Sequence, residues 1–411
     1  MQNPRTMAAS TCALIGLIAL SACQTGGEGA ATSNGSEPPT PHGYVEGAEE
    51  ADEPQLRLAV SDADTGRVSM LDLLTEEVIQ EVPATPETQL LAADSRYVYL
   101  GDAKAGAVTV VDTGAWTVDH GDHKHYYRAD PQVVGEVSGT DPAHVVSEGT
   151  AVAFFFDGDG AAKIYDRTAF DNGELKETGT ASPGPHHGVA VPYEDHVVST
   201  VPGDRPDDLP SALAVYDEAG KSSAMDVSCE QIHGAAASRE GLVFACADGV
   251  ISVNEDFDAE LLSYPGEAGD ERAWSMKAGR DLIAVPFDGG GVGILSPESG
   301  EWQFADTTAP VISVGVAPDD STTVALDEDG TVYAIDPKTG EVLAEEKVIE
   351  PVGPEADSHS GGPSVAVDRE RTYVSDPVGG RVVELDTADG LREARNFDLG
   401  GQPAGLAVTG R

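Results

Sequence analysis

The chain has few cysteine, aromatic and basic residues for its length of 411 residues. Lysine and arginine together number 24, against 72 aspartate and glutamate residues, which gives a formal net charge of −48. A surface of this sign repels a phosphate backbone at every approach, so the composition excludes nucleic acid as a partner. The chain has three tryptophans, which argues against a site that stacks a large flat cofactor on tryptophan rings.

Long apolar runs are also missing, except at the N-terminus. Residues 7–20 form an apolar run that is too short to span a bilayer but fits the core of a signal peptide. Arg5 precedes the run and Leu-Ser-Ala-Cys at 20–23 follows it, an order that resembles the lipobox of bacterial lipoproteins. The alternative is an ordinary signal peptide with an incidental cysteine. We expect residues 1–22 to be a lipoprotein signal peptide and Cys23 to be lipidated. The mature protein is then exported and held at the outer face of the bacterial cytoplasmic membrane.

Large apolar side chains are nearly absent from residues 23–54, which are rich in glycine, serine, threonine, proline, alanine and glutamate. Such a segment cannot bury enough surface to offset the entropy lost on ordering. We therefore expect a flexible acidic tether that starts at Cys23. The remaining range, 55–411, is long enough to bury a large core and is predicted to form one domain.

Cysteine is scarce in the mature chain. Cys12 lies in the predicted signal peptide and Cys23 is the predicted lipid site, which leaves Cys229 and Cys246. Two cysteines that flank a turn-rich segment in an oxidising compartment favour a disulfide over a redox or metal pair.

Helical periodicity is nearly absent from residue 55 onward. Pairs such as RYVYLGDAKAGAVTVVD and TAVAFFFDGDGAAKIYD are typical of strand, turn and strand, and DGDG at 157–160 fits a hairpin turn better than a calcium loop. Each pair follows a short run of small and apolar residues. These runs recur about every 45 residues, which is the period of a four-stranded propeller blade. The pattern predicts an all-β fold.

The two ends of this pattern complement each other. The first strand pair, RLAVSDADTGRVSMLDL, has no small-residue run before it, and the last run, PAGLAVTG, has no strands after it. This predicts that the N- and C-terminal strands share one blade, which closes the ring and removes exposed sheet edges. The count of runs predicts a single β-propeller of eight four-stranded blades, with seven as the alternative if residues 255–272 form no outer edge.

Histidine is concentrated although the fold does not require it. His144, His187 and His233 fall at the starts of the innermost strands of three successive blades, so we expect them side by side at one mouth of the central channel. We interpret residues 121–143 as the connection from one blade into the next. That connection would bring HGDHKHYY, at 120–127, to the same mouth.

These side chains suit zinc. His123 and His125 point to the same side of an extended segment, about 7 Å apart at the backbone, so both imidazoles can reach one ion. Zinc takes about four nitrogen or oxygen ligands, whereas Cu(I) prefers sulfur and Ca²⁺ or Mg²⁺ prefer oxygen. Taken singly, each histidine could be a polar loop residue or a hydrogen-bonding residue of the channel wall; their convergence favours a metal site. The predicted ligands are His123, His125, His187, His144, His233 and Asp122; His120 is expected beside the ion, and His186 is a weaker candidate.

With these residues placed, the chain resembles the AztD-type zinc metallochaperones, exported bacterial propellers that deliver zinc to the substrate-binding protein of a zinc ABC transporter. The likeness runs through GDHKHYYRADPQ, DPAHVV, PHHGVAVP and CEQIHGAA to the final GQPAGLAV. The resemblance implies a zinc site at the channel mouth. It assigns the zinc ligands to His123, His125 and His187, with His144, His233 and Asp122 as further possible ligands. Members of this family can carry a histidine-rich flexible segment near the N-terminus, whereas here that region is acidic and holds only His42.

We therefore expect a zinc-binding metallochaperone without enzymatic activity, acting as a monomer. Its expected partners are zinc and the substrate-binding protein of a zinc ABC importer, with the membrane contacted through the lipid anchor only. One alternative is a propeller enzyme, such as a lactonase or a quinoprotein-like dehydrogenase, with a metal in its channel. Another is a metal-free extracellular scaffold. Such enzymes usually draw on carboxylates with Ca²⁺ or on tryptophan, and this chain concentrates histidine instead.

Overall fold

The computed structural model describes residues 43–205, 208–269, 271–287, 289–352 and 361–411. The predicted signal peptide, the lipidation site Cys23, His42 and most of the predicted tether lie outside these residues. In the part of the chain that is described, no helix has the length and apolar character needed to cross a membrane.

Antiparallel β-strands make up nearly all of the regular structure in these residues. The first twelve are β1 Glu49–Ala51, β2 Arg57–Asp62, β3 Val68–Asp72, β4 Val78–Val82, β5 Thr88–Ala93, β6 Tyr97–Asp102, β7 Ala107–Asp112, β8 Ala115–Asp119, β9 Lys124–Arg128, β10 Gln132–Ser138, β11 Pro142–Glu148 and β12 Ala151–Phe156. The next twelve are β13 Ala161–Asp166, β14 Glu177–Ala181, β15 Ala190–Tyr193, β16 His196–Val201, β17 Ala212–Tyr216, β18 Ser222–Ser228, β19 Ala235–Ser238, β20 Gly241–Ala245, β21 Gly249–Val253, β22 Ala259–Ser263, β23 Lys277–Ala278 and β24 Ile283–Pro286. The last eleven are β25 Val292–Ser296, β26 Glu301–Ala305, β27 Val311–Val316, β28 Thr323–Asp327, β29 Thr331–Ile335, β30 Val342–Lys347, β31 Val365–Val367, β32 Arg371–Asp376, β33 Arg381–Asp386, β34 Arg392–Asp398 and β35 Pro403–Thr409. Two short 3-10 helices occur at Arg167–Asn172 and Gly266–Ala268.

The strands of the described residues form eight four-stranded sheets and one three-stranded sheet. Six of the four-stranded sheets use four consecutive strands: β11–β14, β15–β18, β19–β22, β23–β26, β27–β30 and β31–β34. A seventh consists of β5, β6, β7 and β10, and the eighth joins β35 to β2, β3 and β4. Repeated four-stranded antiparallel sheets of this kind match a propeller-like fold, so the predicted all-β class is confirmed.

The hydrophobic core lies between neighbouring sheets. Tyr99 and Val108 of one sheet share a cluster with Val152 and Phe154 of the next, and the rings of Tyr99 and Phe154 meet edge to face at 5.7 Å. The middle strands are buried on both faces because a sheet packs on each side, whereas fourth strands such as β30 are largely exposed. This explains why middle strands are continuously apolar in the sequence.

The first strand of each four-stranded sheet contacts the first strands of its neighbours. The contacts run in the order β35, β5, β11, β15, β19, β23, β27 and β31, and β31 in turn contacts β35. Within the sheet that holds both chain ends, β35 pairs with β2 in a register that aligns Arg57 with Thr409 and Val60 with Leu406. The N-terminal ends of first strands from successive sheets are thereby brought together.

The hairpin β8–β9 differs from the prediction for this region. Residues 121–143 do not connect two blades, because β10 is the fourth strand of the sheet that holds β7 and the hairpin is inserted between these two strands. The hairpin leaves the sheet at the end where Asp112 pairs with Gln132, whereas β10 runs to the opposite end at Ser138 before the chain enters β11. The prediction missed β10 because this strand is mostly exposed and because Gly135 and Glu136 interrupt its valines.

The predicted tether also ends earlier than residue 54. Strand β1 pairs with β9 in an antiparallel register that aligns Glu49 with Arg128 and Ala51 with Tyr126, completing the three-stranded sheet β1–β9–β8. The pairing forms because β9 offers an edge of backbone donors and acceptors that β1 can satisfy.

The predicted disulfide between Cys229 and Cys246 is confirmed. The two Cα atoms lie 5.9 Å apart, and both cysteines are buried in the cluster that joins β15–β18 to β19–β22. The bridge ties the end of β18 to the end of β20, across a sequence separation of 17 residues.

Replacing both cysteines by alanine should lower the free energy of unfolding by about 3 kcal/mol, because the unfolded chain loses a covalent loop of this length. The measurement is chemical denaturation monitored by circular dichroism. Reducing agent should destabilise the parent protein by a similar amount and leave the double variant unchanged. Equal stabilities of the oxidised parent and the variant would contradict the expectation.

Candidate metal centres

Three histidines from successive sheets meet at one end of the first strands. His144 lies near the start of β11, and His187 and His233 lie in the connections just before β15 and β19. The ring centroids are 5.1 Å apart for His144 and His187, 5.9 Å for His144 and His233, and 5.1 Å for His187 and His233. We call these three residues the cavity cluster, because they line a cavity of about 1040 Å³ bounded by residues of five four-stranded sheets and of the connections that lead into the other three.

Each imidazole of the cavity cluster is held through Nδ1 by an oxygen atom. His144 Nδ1 donates to the Gly188 carbonyl at 3.1 Å, and His233 Nδ1 donates to the Trp274 carbonyl at 2.7 Å. His187 Nδ1 donates to Asp157 Oδ2 at 2.6 Å. A carbonyl can only accept a hydrogen bond, so the proton is placed on Nδ1 and Nε2 becomes the ligand atom.

The spacing of the Nε2 atoms suits a tetrahedral ion. His187 Nε2 and His233 Nε2 lie 3.2 Å apart, and one ligand atom from each of the three histidines falls within 4.8 Å of the others. Two nitrogen ligands at ~2.0–2.1 Å from a tetrahedral zinc ion lie about 3.3 Å from each other. The spacing of His187 and His233 therefore already fits zinc, and the ligand atom of His144 lies close enough to make a third ligand.

Asp157 contributes to this centre and was not singled out from the sequence. It follows β12 in a hairpin turn, where Oδ1 accepts from the Gly188 backbone N–H at 3.2 Å and Oδ2 accepts from His187. The hydrogen bond from His187 to Asp157 raises the pKa of His187, and burial opposes this rise. Aspartate is so common in hairpin turns that its type alone gave no signal.

A second group of histidines lies on the hairpin β8–β9. The ring centroids of His120 and His123 are 4.9 Å apart, those of His120 and His125 5.3 Å, and those of His123 and His125 5.0 Å. Their ligand atoms lie within 4.8 Å of one another. We call these three residues the hairpin cluster. His120, which was expected beside the ion, is thus grouped with His123 and His125 as a candidate ligand. Asp122 Oδ1 accepts a hydrogen bond from His123 Nδ1 at 2.8 Å, and this bond orients the imidazole.

The two clusters do not form one site. The sequence predicted that His123 and His125 join the other histidines at the channel mouth, and that prediction is wrong because the hairpin leaves its sheet at the end opposite to the connection that leads into β11. The candidate ligand atoms therefore fall into two separate groups.

His186 belongs to the core. Its ring is 5% exposed and packs edge to face against Phe155 at 5.2 Å. Nδ1 bonds to the Gly184 carbonyl at 2.7 Å and Nε2 to Thr200 Oγ1 at 2.8 Å, while burial lowers the pKa of the imidazole. Both ring nitrogens are therefore used in hydrogen bonds that stabilise the fold, and neither is available to bind a metal at the cavity cluster.

Fold and site together define a propeller-like protein with two histidine clusters that could each hold a metal ion. The chain is similar to the zinc chaperone AztD of Citrobacter koseri, with 25% identity over 366 residues that cover 86% of each protein. A crystal structure of Citrobacter koseri AztD matches with a TM-score of 0.80 at 24% identity over 87% of this chain and 98% of that one. The apo structure matches over the same shares with a TM-score of 0.77 at 23% identity. No family model matches the chain. The resemblance identified from the sequence is confirmed.

Asp157→Asn should move the pH dependence of zinc binding. The carboxamide oxygen still accepts from Nδ1, but it does not stabilise the imidazolium, so the pKa of His187 should fall back toward its usual value near 6.5. Protons then compete with zinc only at lower pH, and the midpoint of zinc release should shift down by up to about one unit. At pH 8 the affinity itself should weaken about 10-fold, because a neutral partner makes the imidazole a poorer ligand.

The measurements are an NMR titration of His187 in zinc-free protein and zinc competition between pH 5.5 and 8. Asp159→Asn is the matched control, since Asp159 lies in the same turn and accepts from the Thr140 backbone N–H. An unchanged His187 pKa in Asp157→Asn would contradict the assignment.

Proposed function

We propose that the protein is a zinc metallochaperone that holds zinc in the cavity cluster and passes it to the substrate-binding protein of a zinc ABC importer. The observation that carries the proposal is the convergence of three imidazoles, each with Nδ1 fixed on an oxygen acceptor. The similarity to a protein named as a zinc chaperone supports zinc as the cargo. Of the ligands predicted from the sequence, His144, His187 and His233 form this site.

Transfer follows from the geometry. Three protein ligands leave one position of a tetrahedral zinc ion open toward the cavity, where a ligand of the partner can bind first and then displace the histidines one at a time. The side chain of His187 is 41% exposed, so a partner can reach it. Carboxylates of Asp62, Asp141 and Glu328 also line the cavity and attract a cation toward the site. No covalent bond is made or broken, so the role is not enzymatic.

We also propose that the eight four-stranded sheets are eight blades of one closed propeller. The cyclic order of contacts between first strands supports this arrangement, and so does the pairing of β35 with β2, which covers the edge of β2 and joins the two ends of the described chain in one sheet. Strand β22 provides the fourth strand of its sheet, which favours eight blades over the alternative of seven.

The location proposed for the protein is the outer face of the bacterial cytoplasmic membrane. Residues 1–22 act as the lipoprotein signal peptide and Cys23 carries the lipid, so the mature monomer contacts the membrane through this anchor only. The buried disulfide supports export, because disulfides persist in oxidising compartments.

The double variant His187→Ala and His233→Ala should lose one equivalent of tightly bound zinc, since a single remaining imidazole cannot hold the ion. We expect the affinity of that equivalent to fall at least about 100-fold. Elemental analysis and competition with a chromophoric chelator measure the change. His196→Ala is the control, because His196 pairs with Asp195 away from both clusters and should leave stoichiometry intact. Undiminished binding in the double variant would refute the site, and calcium in place of zinc in the purified protein would favour a propeller enzyme.

Closure of the ring predicts a strong effect of a short truncation. A chain that stops before β35 exposes the edge of β2 and loses the buried Ala404 and Val408. We expect a loss of more than about 4 kcal/mol, beyond the range of ordinary substitutions, and loss of a single cooperative transition in thermal unfolding. A chain that ends at Gly410 retains β35 and should unfold like the parent protein. Normal cooperative unfolding of the longer truncation would refute closure through this strand.

A further inference from the structure

His233 differs from the other two histidines of the cavity cluster in the way its backbone is held. His144 lies within β11 and takes part in the ladder with β12, and the imidazole of His187 is fixed by Asp157. His233 instead belongs to the short connection 229–234 between β18 and β19, which we call the ligand loop. Loops are less rigid than the strands of a fold, so the position of this imidazole depends on what constrains the loop.

Three bonds fasten the ligand loop to three consecutive residues at and just after the end of β20. They are the Cys229–Cys246 disulfide, the hydrogen bond from the Ala247 N–H to the Glu230 carbonyl at 2.8 Å, and the hydrogen bond from the His233 N–H to the Ala245 carbonyl at 2.9 Å. The disulfide holds the start of the loop, and the hydrogen bond of His233 holds the backbone of the ligand itself. His233 is thus bonded to the residue that directly precedes one of the two bridged cysteines.

The ligand loop has a conformation that is unfavourable by itself. Gln231 has a φ of 56°, in the left-handed region that side chains other than glycine rarely adopt, and Gly234 has a φ of 81°. Arg272 supports this conformation, because its guanidinium donates to the Gln231 side-chain oxygen at 2.9 Å and to the Gln231 carbonyl at 2.8 Å. Such strain persists only where surrounding bonds enforce it, so loss of the covalent bond allows the loop to relax.

A small relaxation is enough to affect metal binding. The Nε2 atoms of His187 and His233 lie 3.2 Å apart, close to the spacing of two ligands on a tetrahedral zinc ion. Metal sites require their ligands to be held within about 0.5 Å of this geometry. The bond that fixes the start of the ligand loop therefore contributes to zinc affinity through His233.

We propose that the Cys229–Cys246 disulfide positions His233, so that reduction of the bridge weakens zinc binding by the cavity cluster. The inference rests on the proposed function, because it takes the cavity cluster as the zinc site, and it adds a means of regulating release. Reduction by a dithiol breaks the S–S bond, delivers two electrons and two protons to form two thiols, and converts the dithiol to its own disulfide. Zinc stays divalent throughout, and a protein dithiol that reduces the bridge would promote its release.

The coupling is reciprocal. If the oxidised bridge increases zinc affinity, bound zinc must stabilise the oxidised bridge by the same factor. For this two-electron couple, each 10-fold difference in zinc affinity makes the reduction potential about 30 mV more negative. Both cysteines are buried, which slows thiol–disulfide exchange but leaves its equilibrium unchanged.

The first experiment uses the full mature chain with His123→Ala and His125→Ala, so that zinc binding reports the cavity cluster alone. Adding Cys229→Ala with Cys246→Ala should weaken zinc binding at least about 10-fold, measured by competition with a chromophoric chelator. Leu385→Ala is the matched control, because it removes a buried side chain from β33 and destabilises the fold without contact to the ligand loop. Its zinc affinity should stay within about 2-fold of the parent.

A second experiment tests whether the bridge acts through His233. Removal of both cysteines is repeated in two variants that each keep two imidazoles and bind zinc more weakly, His144→Ala and His233→Ala. In His144→Ala the loss of the bridge should still weaken zinc binding at least about 10-fold, whereas in His233→Ala it should change the affinity less than about 2-fold. A purely structural role of the bridge gives the same change in both variants.

A third experiment needs no cysteine variant. The parent protein is equilibrated in dithiol redox buffers in which a chelator fixes the free zinc concentration, and the oxidised fraction is measured by alkylation and mass spectrometry. Saturating zinc should shift the reduction potential by about 30 mV or more toward negative values. The shift should vanish in His187→Ala with His233→Ala.

Three results would overturn the inference: equal zinc affinity with and without the bridge, equal effects of its removal in the two histidine variants, or a reduction potential that does not respond to zinc. Failure of the proposed function looks different, because tight zinc binding then survives in His187→Ala with His233→Ala whatever the state of the bridge.

Discussion

The packing of first strands against one another is the constraint on which both the fold and the cavity cluster depend. These strands contact each other in order around the molecule, which requires close approach of small residues, as in Ala235–Ser238 of β19. His187 and His233 lie 46 residues apart in the chain and belong to different sheets, yet their Nε2 atoms come within 3.2 Å. No local structure could bring them together. The cavity cluster is therefore a product of the repeat, since equivalent positions of neighbouring repeats become neighbours in space.

Features set by the repeat were predictable from the sequence, and features that interrupt it were not. The strand pairs, the disulfide and the placement of His144, His187 and His233 at the starts of first strands all follow from the period and from local pattern. The hairpin cluster was assigned to the wrong end because β10 was not recognised as a strand: it is mostly exposed, and Gly135 and Glu136 interrupt its valines. The pairing of β1 with β9 joins residues about 75 positions apart through an acidic segment, and such a long-range edge pairing leaves no periodic signal.

The two histidine clusters differ in what holds them. In the cavity cluster, two of the three Nδ1 acceptors are backbone carbonyls of Gly188 and Trp274, next to first strands that are packed on both sides. Their positions are fixed by the whole fold. In the hairpin cluster, the known Nδ1 acceptors are side-chain carboxylates, and Glu50 is supplied by a short edge strand. The fold thus preorganises the cavity cluster to bind an ion. The geometry of the hairpin cluster depends on β1, which pairs over three residues.

The scarcity of tryptophan makes the two centres optically distinguishable. Trp274 lies 5.4 Å from the ring of His233, and Trp116 stacks at 5.4 Å on Tyr127, whose ring lies 6.4 Å from that of His125. The third tryptophan, Trp302, packs against Tyr264 between two sheets. In variants that retain Trp302 together with either Trp116 or Trp274, intrinsic fluorescence can therefore follow each histidine cluster separately, with Trp302 as an internal reference. The molecule carries a separate natural chromophore for each histidine cluster.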